Sequence, residues 1–235
     1  MARHLIYLPE LNELPGPLTV GGEEAHHTVR VRRLEIGDQV AACDGRGLVV
    51  RAAITQIRKA GRSGDWEVHL NPLEWSRIAP VTPRIDVFAA SPKGDRLPEM
   101  IDGLSQAGAA LWRPLLSERT IVDPREGKID RLRRTAIESL KQCGRAHLLE
   151  IGPAVTFDEA LRGPGLIMTD ASGDPFEPTP QHHATLLIGP EGGWTPDELK
   201  RARHAGATIA RLGPHTLRIE TAAIIAAALT LGRPT

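Results

Sequence analysis

Over the first 75 positions, short apolar stretches alternate with turn residues. Leu5 to Leu8, Gln39 to Ala42, Leu48 to Ile57 and Trp66 to Leu70 are separated by signals such as Asp44-Gly45 and Ser63-Gly64-Asp65. This spacing predicts short strands, and several of them in succession predict a small β-barrel. After Gly21-Gly22 one or two helical turns are expected, because Glu23 and Glu24 suit a helix N-terminus and Arg30 and Arg32 lie toward its end. The segment from Asn71 to Pro83, with Pro72, Pro80 and Pro83, reads as a linker. Two domains are therefore expected, at residues 1–73 and 80–235.

Beyond Arg84 the pattern changes to strands alternating with helices. Ile85 to Ala90, Leu111 to Leu116, Leu166 to Thr169, Thr185 to Ile188 and Thr208 to Leu212 read as strands. Helices are expected from Leu97 to Ala109, from Asp130 as N-cap to the stop at Gly144, from Pro196 to Ala205 and from about Glu220 to Leu231. Thr156 and Glu159 form a capping-box pattern that opens a short further helix. The alternation predicts an α/β domain whose parallel sheet is covered on both faces. Ligands bind such sheets beyond the carboxyl ends of the strands.

Composition narrows the function classes. The chain has 235 residues, 41% of them hydrophobic and 25% charged, as an ordinary globular protein has. No apolar run approaches the roughly 18 residues of a spanning helix, so no membrane partner is expected. Cys43 and Cys143 are isolated and fit no zinc spacing, and the adjacent His26 and His27 are read as having no cysteine or carboxylate partner at ligand spacing. No metal is expected, and a reducing cytoplasm is the simplest compartment. The 29 basic and 29 acidic residues cancel, but unevenly: residues 77–145 carry 13 basic against 9 acidic, and residues 146–235 carry 7 against 10. Of the basic residues 24 are Arg and 5 are Lys. Arg suits phosphate, although GC-rich codon usage produces the same bias.

The segment richest in chemistry is Leu187-Ile188-Gly189-Pro190-Glu191-Gly192-Gly193-Trp194-Thr195-Pro196-Asp197-Glu198. A strand runs into a glycine-rich loop that opens a helix with Thr195 as N-cap, Pro196 at the first helical position and Glu198 closing a capping box. The loop lacks the Gly-Lys-Ser/Thr of a P-loop and is not Gly-x-Gly-x-x-Gly, which disfavours triphosphate chemistry and a standard dinucleotide site. A second loop, Leu212-Gly213-Pro214-His215-Thr216-Leu217-Arg218-Ile219-Glu220-Thr221, follows the next strand and ends in an almost wholly apolar helix. Such a helix is expected to be buried on several sides, against its own sheet and a second subunit. Arg218 and Glu220 at its entrance read either as a capping pair or as chemistry.

These two loops resemble those of the RsmE family, the 16S rRNA uridine N3-methyltransferases of the SPOUT superfamily. Gln142-Cys143-Gly144-Arg145, Pro114-Leu115-Leu116-Ser117-Glu118-Arg119, and His27, Val31, Arg33, Gly37, Asp38 and Asp44-Gly45 also resemble family segments, so the resemblance covers nearly the whole chain. The sequence departs from the pattern at Leu104 to Gly108, at Ser139-Leu140-Lys141, at Arg32 and at Ile219.

The resemblance implies a SPOUT α/β domain with a deep trefoil knot, an exception to the rule that chains do not thread their loops, preceded by a PUA-like β-barrel. It also implies S-adenosyl-L-methionine held by Leu187, Ile188, Gly189, Pro190, Glu191, Gly192 and Gly193 and by Leu212, Gly213, Pro214 and Leu217. A homodimer and a 16S rRNA substrate follow from the same likeness. Arg218 would stabilise negative charge on the base, with Glu220 orienting it or assisting proton removal. RNA contacts would fall to Arg30, Arg32, Arg33, Lys93, Arg96, Arg119 and Arg145, which position a phosphate backbone without reading sequence. Two other readings remain: a SPOUT methyltransferase acting on another RNA, and a non-catalytic RNA-binding ribosome-assembly factor.

Overall fold

A computed structural model describes residues 4–14, 16–60, 65–120, 126–178 and 181–232. The chain divides into two compact units, Met1–Pro80 with Leu140–Leu148, and Val81–Ser139 with Leu149–Thr235. Leu140–Leu148, which the sequence reading assigns to the second domain, thus clusters with the first.

The first unit is a five-stranded sheet in the order β1-β3-β4-β5-β2, built from β1 (Leu5–Tyr7), β2 (Leu18–Val20), β3 (Gln39–Cys43), β4 (Leu48–Ala60) and β5 (Asp65–Arg77). Among the described residues only the β1–β3 pair is parallel. Inward residues such as Ile6, Val40, Ala42, Val50, Ala52, Ile54, Val68 and Leu70 make its core. Ala25 reaches the same core from the short helix α1 (Gly22–His26), which continues as a π-helical turn over His27–Val31.

The expected linker is corrected here, because Asn71 to Arg77 belong to β5. Pro72 is tolerated in the strand because it sits beside a register shift at Arg51/Ala52, and β2 covers only Val68–Leu70 on the other side. A bulge with an open flank is where a strand can lose one N–H donor. Leu140–Leu148 joins this unit through an antiparallel bridge between Arg46 and His147 and a Leu148 N–H bond to the Gly45 carbonyl. Lys141 Nζ also lies 2.8 Å from the Glu24 carboxylate, both side chains being largely buried. The expected turn at Ser63-Gly64 lies outside the described residues.

The second unit is a parallel sheet in the order β12-β10-β11-β6-β7-β8, with β9 alongside β7. Its strands are β6 (Arg84–Ala89), β7 (Leu111–Leu116), β8 (Glu150–Ile151), β9 (Val155–Thr156), β10 (Leu166–Pro175), β11 (His183–Ile188) and β12 (Thr208–Arg211). β6 and β11 are buried along almost their whole length, as strands covered on both faces must be. One face carries α2 (Arg96–Gln106) and α6 (Ile219–Leu231). The other carries α4 (Phe157–Ala160) and α5 (Pro196–His204), whose Phe157, Ala160 and Ala202 join Phe88, Met168 and Leu187 in one cluster.

The capping boxes read at Thr156 and Thr195 are both formed. Several boundaries differ from expectation; the helix expected to reach Ala109, for one, ends at Gln106. The helix α3 (Glu126–Cys143) begins before Asp130, which lies inside it and binds Arg133 at 3.0 Å rather than capping. The strand expected at Leu166 to Thr169 runs on to Pro175, because the chain loops out between Thr169 and Asp174 and both pair with Ala210.

Candidate active site

The chain enters this sheet at β6 and steps outward to β7 and β8. It then returns to the other flank, so β6 and β11 are neighbours drawn from the two halves of the winding. Ligand crevices form at such a reversal, outside the carboxyl ends of the strands. Ile188 ends β11 there, its carbonyl taking the Ala90 N–H, and the glycine loop begins at the next residue.

Within the loop the Gly193 N–H bonds the Pro190 carbonyl at 2.9 Å, closing a four-residue turn whose last member has a φ of +68°, a left-handed conformation that favours glycine. Gly189 is required by a close approach: a Cβ there would lie 2.8 Å from the Trp194 ring. Trp194 is buried, and its indole N–H donates to the Thr169 carbonyl at 2.9 Å, fixing the loop to β10. At Gly192 a Cβ would stand 3.3 Å from Arg119 Cδ, and Arg119 Nη1 donates to the Gly192 carbonyl at 2.6 Å. Glu198, buried in α5, accepts from the Thr195 N–H and from the Glu118 N–H, each at 2.9 Å. The turn after β7 is thereby tied to the glycine loop.

The second loop leaves β12 at the same edge, since the strands are parallel through β10. Open space surrounds the Cβ positions of Gly193 and Gly213. Arg218 is the N-cap residue of α6 but its side chain makes no capping bond, so the capping-pair reading is set aside. It is exposed, while Glu220 is buried in the first turn, with Oε2 lacking a partner among the described residues. A buried polar atom left unpartnered is costly, so Glu220 Oε2 calls for a partner, while the exposed Arg218 guanidinium two residues earlier is open to one.

The residues read as RNA contacts divide between the units. Arg30, Arg32 and Arg33 are exposed on and just beyond the π-helical turn. Arg30 lies over the Trp66 ring at 5.8 Å, and Lys59 lies over the same ring at 5.5 Å. Arg32 Nε donates to His27 Nε2 at 3.3 Å, and His27 stacks on His4, which gives His27 a structural role. Arg145 is half-buried, and burial lowers its guanidinium pKa from the ordinary value. In the second unit Lys93 is exposed and Arg96 half-buried at the start of α2, whereas Arg119 is engaged with the glycine loop.

Sequence reasoning found Glu198 only as a local cap. Its second oxygen is satisfied 80 residues away, which no local pattern announces. The anchoring of Trp194 to Thr169 was missed for the same reason, although an apolar ring beside a glycine loop is a signal that the loop must pack.

The parallel sheet with a glycine loop at its reversal lies in a segment, residues 80–231, that matches the RNA methyltransferase domain family, and the β-rich unit matches the RNA methyltransferase PUA domain family over residues 20–60, so the chain is an RNA methyltransferase. The chain is 30% identical to a protein of Synechocystis named ribosomal RNA small subunit methyltransferase E, over 97% of this chain and 77% of that one. It belongs to the ribosomal RNA small subunit methyltransferase E family. The protein of that name from Bacillus subtilis is 28% identical over 96% of this chain and 94% of its own length. The crystal structure of a ribosomal RNA small subunit methyltransferase E from Neisseria gonorrhoeae bound to S-adenosyl methionine superimposes with a TM-score of 0.82 at 25% identity, covering 96% of this chain and 95% of that one.

Proposed function

We propose that the protein transfers a methyl group from S-adenosyl-L-methionine to N3 of a uridine in 16S ribosomal RNA. The observation that carries this reading is the buried, unpartnered Glu220 carboxyl oxygen two residues from the exposed Arg218, beside two loops whose Gly193 and Gly213 leave open space. A carboxyl oxygen wanting a partner, beside glycine loops with unfilled space at Gly193 and Gly213, suits a cationic donor and a polar base.

The donor supplies a methyl group already activated on a sulfonium. Leu187, Ile188, Gly189, Pro190, Glu191, Gly192 and Gly193, with Leu212, Gly213, Pro214 and Leu217, would hold it, mostly through backbone groups that glycine leaves approachable. Uridine N3 bears a weakly acidic proton, which must leave before N3 can attack. Arg218 would stabilise the negative charge that then develops on the uracil. Glu220 would orient Arg218 or assist the proton's departure. Alignment of N3 with the methyl group supplies the remaining advantage.

Arg30, Arg32, Arg33, Lys93, Arg96, Arg119 and Arg145 would hold the RNA backbone. The working form would be a cytoplasmic homodimer, its second-unit chain threaded as a trefoil knot. The exposed Ala228 and Leu229 on the apolar α6 support an oligomer, since that helix offers water no polar face. Titration calorimetry tests the donor directly. Binding of S-adenosyl-L-methionine with one site per chain is the expected result, and an absence of binding would leave only a silent RNA-binding role.

A further inference from the structure

We infer that Arg119 is a positioning residue of the glycine loop, locking the Gly192–Gly193 peptide, rather than solely a contact for RNA phosphate. This inference rests on the loop being the donor site proposed above.

The Gly192–Gly193 peptide is held at both ends. Its N–H, from Gly193, bonds the Pro190 carbonyl at 2.9 Å, and its C=O, from Gly192, accepts from Arg119 Nη1 at 2.6 Å. A peptide between two glycines turns over at small steric cost, because neither flank has a Cβ to forbid the alternative. Its orientation is therefore set by these two bonds. Arg119 contributes the one that comes from outside the loop.

Arg119 is itself placed by its neighbours. The preceding Glu118 N–H is tied to the buried Glu198 carboxylate, and the Ser117 N–H bonds Thr120 Oγ1 at 2.9 Å. The aliphatic part of Arg119 lies over Gly192, with Cδ 3.3 Å from where a Cβ would stand. A side chain at Gly192 would crowd the arginine, which would have to give by a few tenths of an ångström. Among the described residues no carboxylate pairs with Arg119, so its guanidinium is directed at this carbonyl. A loop locked before its ligand arrives loses less freedom on binding, and affinity rises accordingly.

The test compares wild type with Arg119→Ala and Gly192→Ala. Amide exchange at Gly193, followed by NMR in the cofactor-free protein, reads the lock without any turnover. Exchange about tenfold faster is expected in Arg119→Ala, the size of effect typical of losing a hydrogen bond from a charged donor. Calorimetry should show S-adenosyl-L-methionine binding weakened by a similar factor. Gly192→Ala crowds the arginine without removing its charge and should produce both changes in the same direction and to a smaller degree. The double variant should be no worse than Arg119→Ala, because both substitutions act on the same contact. Unchanged Gly193 exchange in Arg119→Ala, with weaker binding to purified 16S rRNA, would overturn the inference and leave Arg119 as a phosphate contact. If the wild type failed to bind S-adenosyl-L-methionine, the proposed function would fall while the exchange comparison still decided the lock.

Discussion

Glu198 accepts the Glu118 backbone N–H at 2.9 Å, so a carboxylate that caps its own helix also holds a turn 80 residues earlier in the chain. Both carboxylate oxygens are engaged, and the residue is 3% exposed. Glu198→Ala would leave two backbone donors without partners, each worth about 1–3 kcal/mol when buried. Urea denaturation should show a loss of about 3 kcal/mol. Glu198→Gln keeps a single good acceptor and should cost about half as much.

Gly189 and Trp194 are in contact that leaves no room for a methyl group. Gly189→Ala should push the indole off the Thr169 carbonyl and destabilise the fold by about 1–3 kcal/mol, as overpacking does. Calorimetry should find S-adenosyl-L-methionine affinity reduced at the same time, because the ring and the loop move together. A variant with wild-type stability and affinity would show that the ring does not set the loop.

Among the described residues the Arg218 side chain makes no capping bond or ion pair that its removal would break. Arg218→Ala should therefore leave stability and donor affinity near wild type while lowering the single-turnover methylation rate by about 100- to 1,000-fold, the range seen when a transition-state charge partner is removed. Retained turnover would remove it from the chemistry.

Cys43 and Tyr7 are cross-strand partners at the end of the β1–β3 pair. Burial raises the Cys43 thiol from 9.0 to about 11, and burial, then the neighbouring Cys43, raises the Tyr7 phenol. An acid whose pKa is higher in the folded state ionises first in the unfolded chain, so the unfolded chain binds fewer protons and stability falls as pH rises. The thiol's effect should begin near pH 9 and be complete near pH 11, amounting to roughly 3 kcal/mol. Denaturation curves at pH 8, 9 and 10 should show this decline. Cys43→Ala should show a shallower one, with Tyr7 remaining.

What the sequence revealed was local. The Thr195 box with Pro196 and Glu198 specified α5, and the apolar runs of β6 and β11 specified buried parallel strands, because each signal is completed within a few residues. Pro72 misled because a proline suggests a break, while the bulge that accommodates it depends on β4, some 20 residues earlier in the chain. Leu18–Val20 is too short to announce itself and is a strand only through its pairing with Val68–Leu70. The departures at Ser139 and Lys141 have partners still farther away in sequence. Ser139 Oγ donates to the Asp102 carbonyl at 3.1 Å, and Lys141 meets Glu24. The candidate loops were legible as loops, while the tethers that shape them were not.

The central claim is methylation of uridine N3 in 16S rRNA, and mass spectrometry of that RNA from a strain lacking this gene tests it most directly. N3-methyluridine should be absent from the deleted strain, return with the intact gene and stay absent with the Arg218→Ala form. An unchanged level of N3-methyluridine in the deleted strain would contradict the claim.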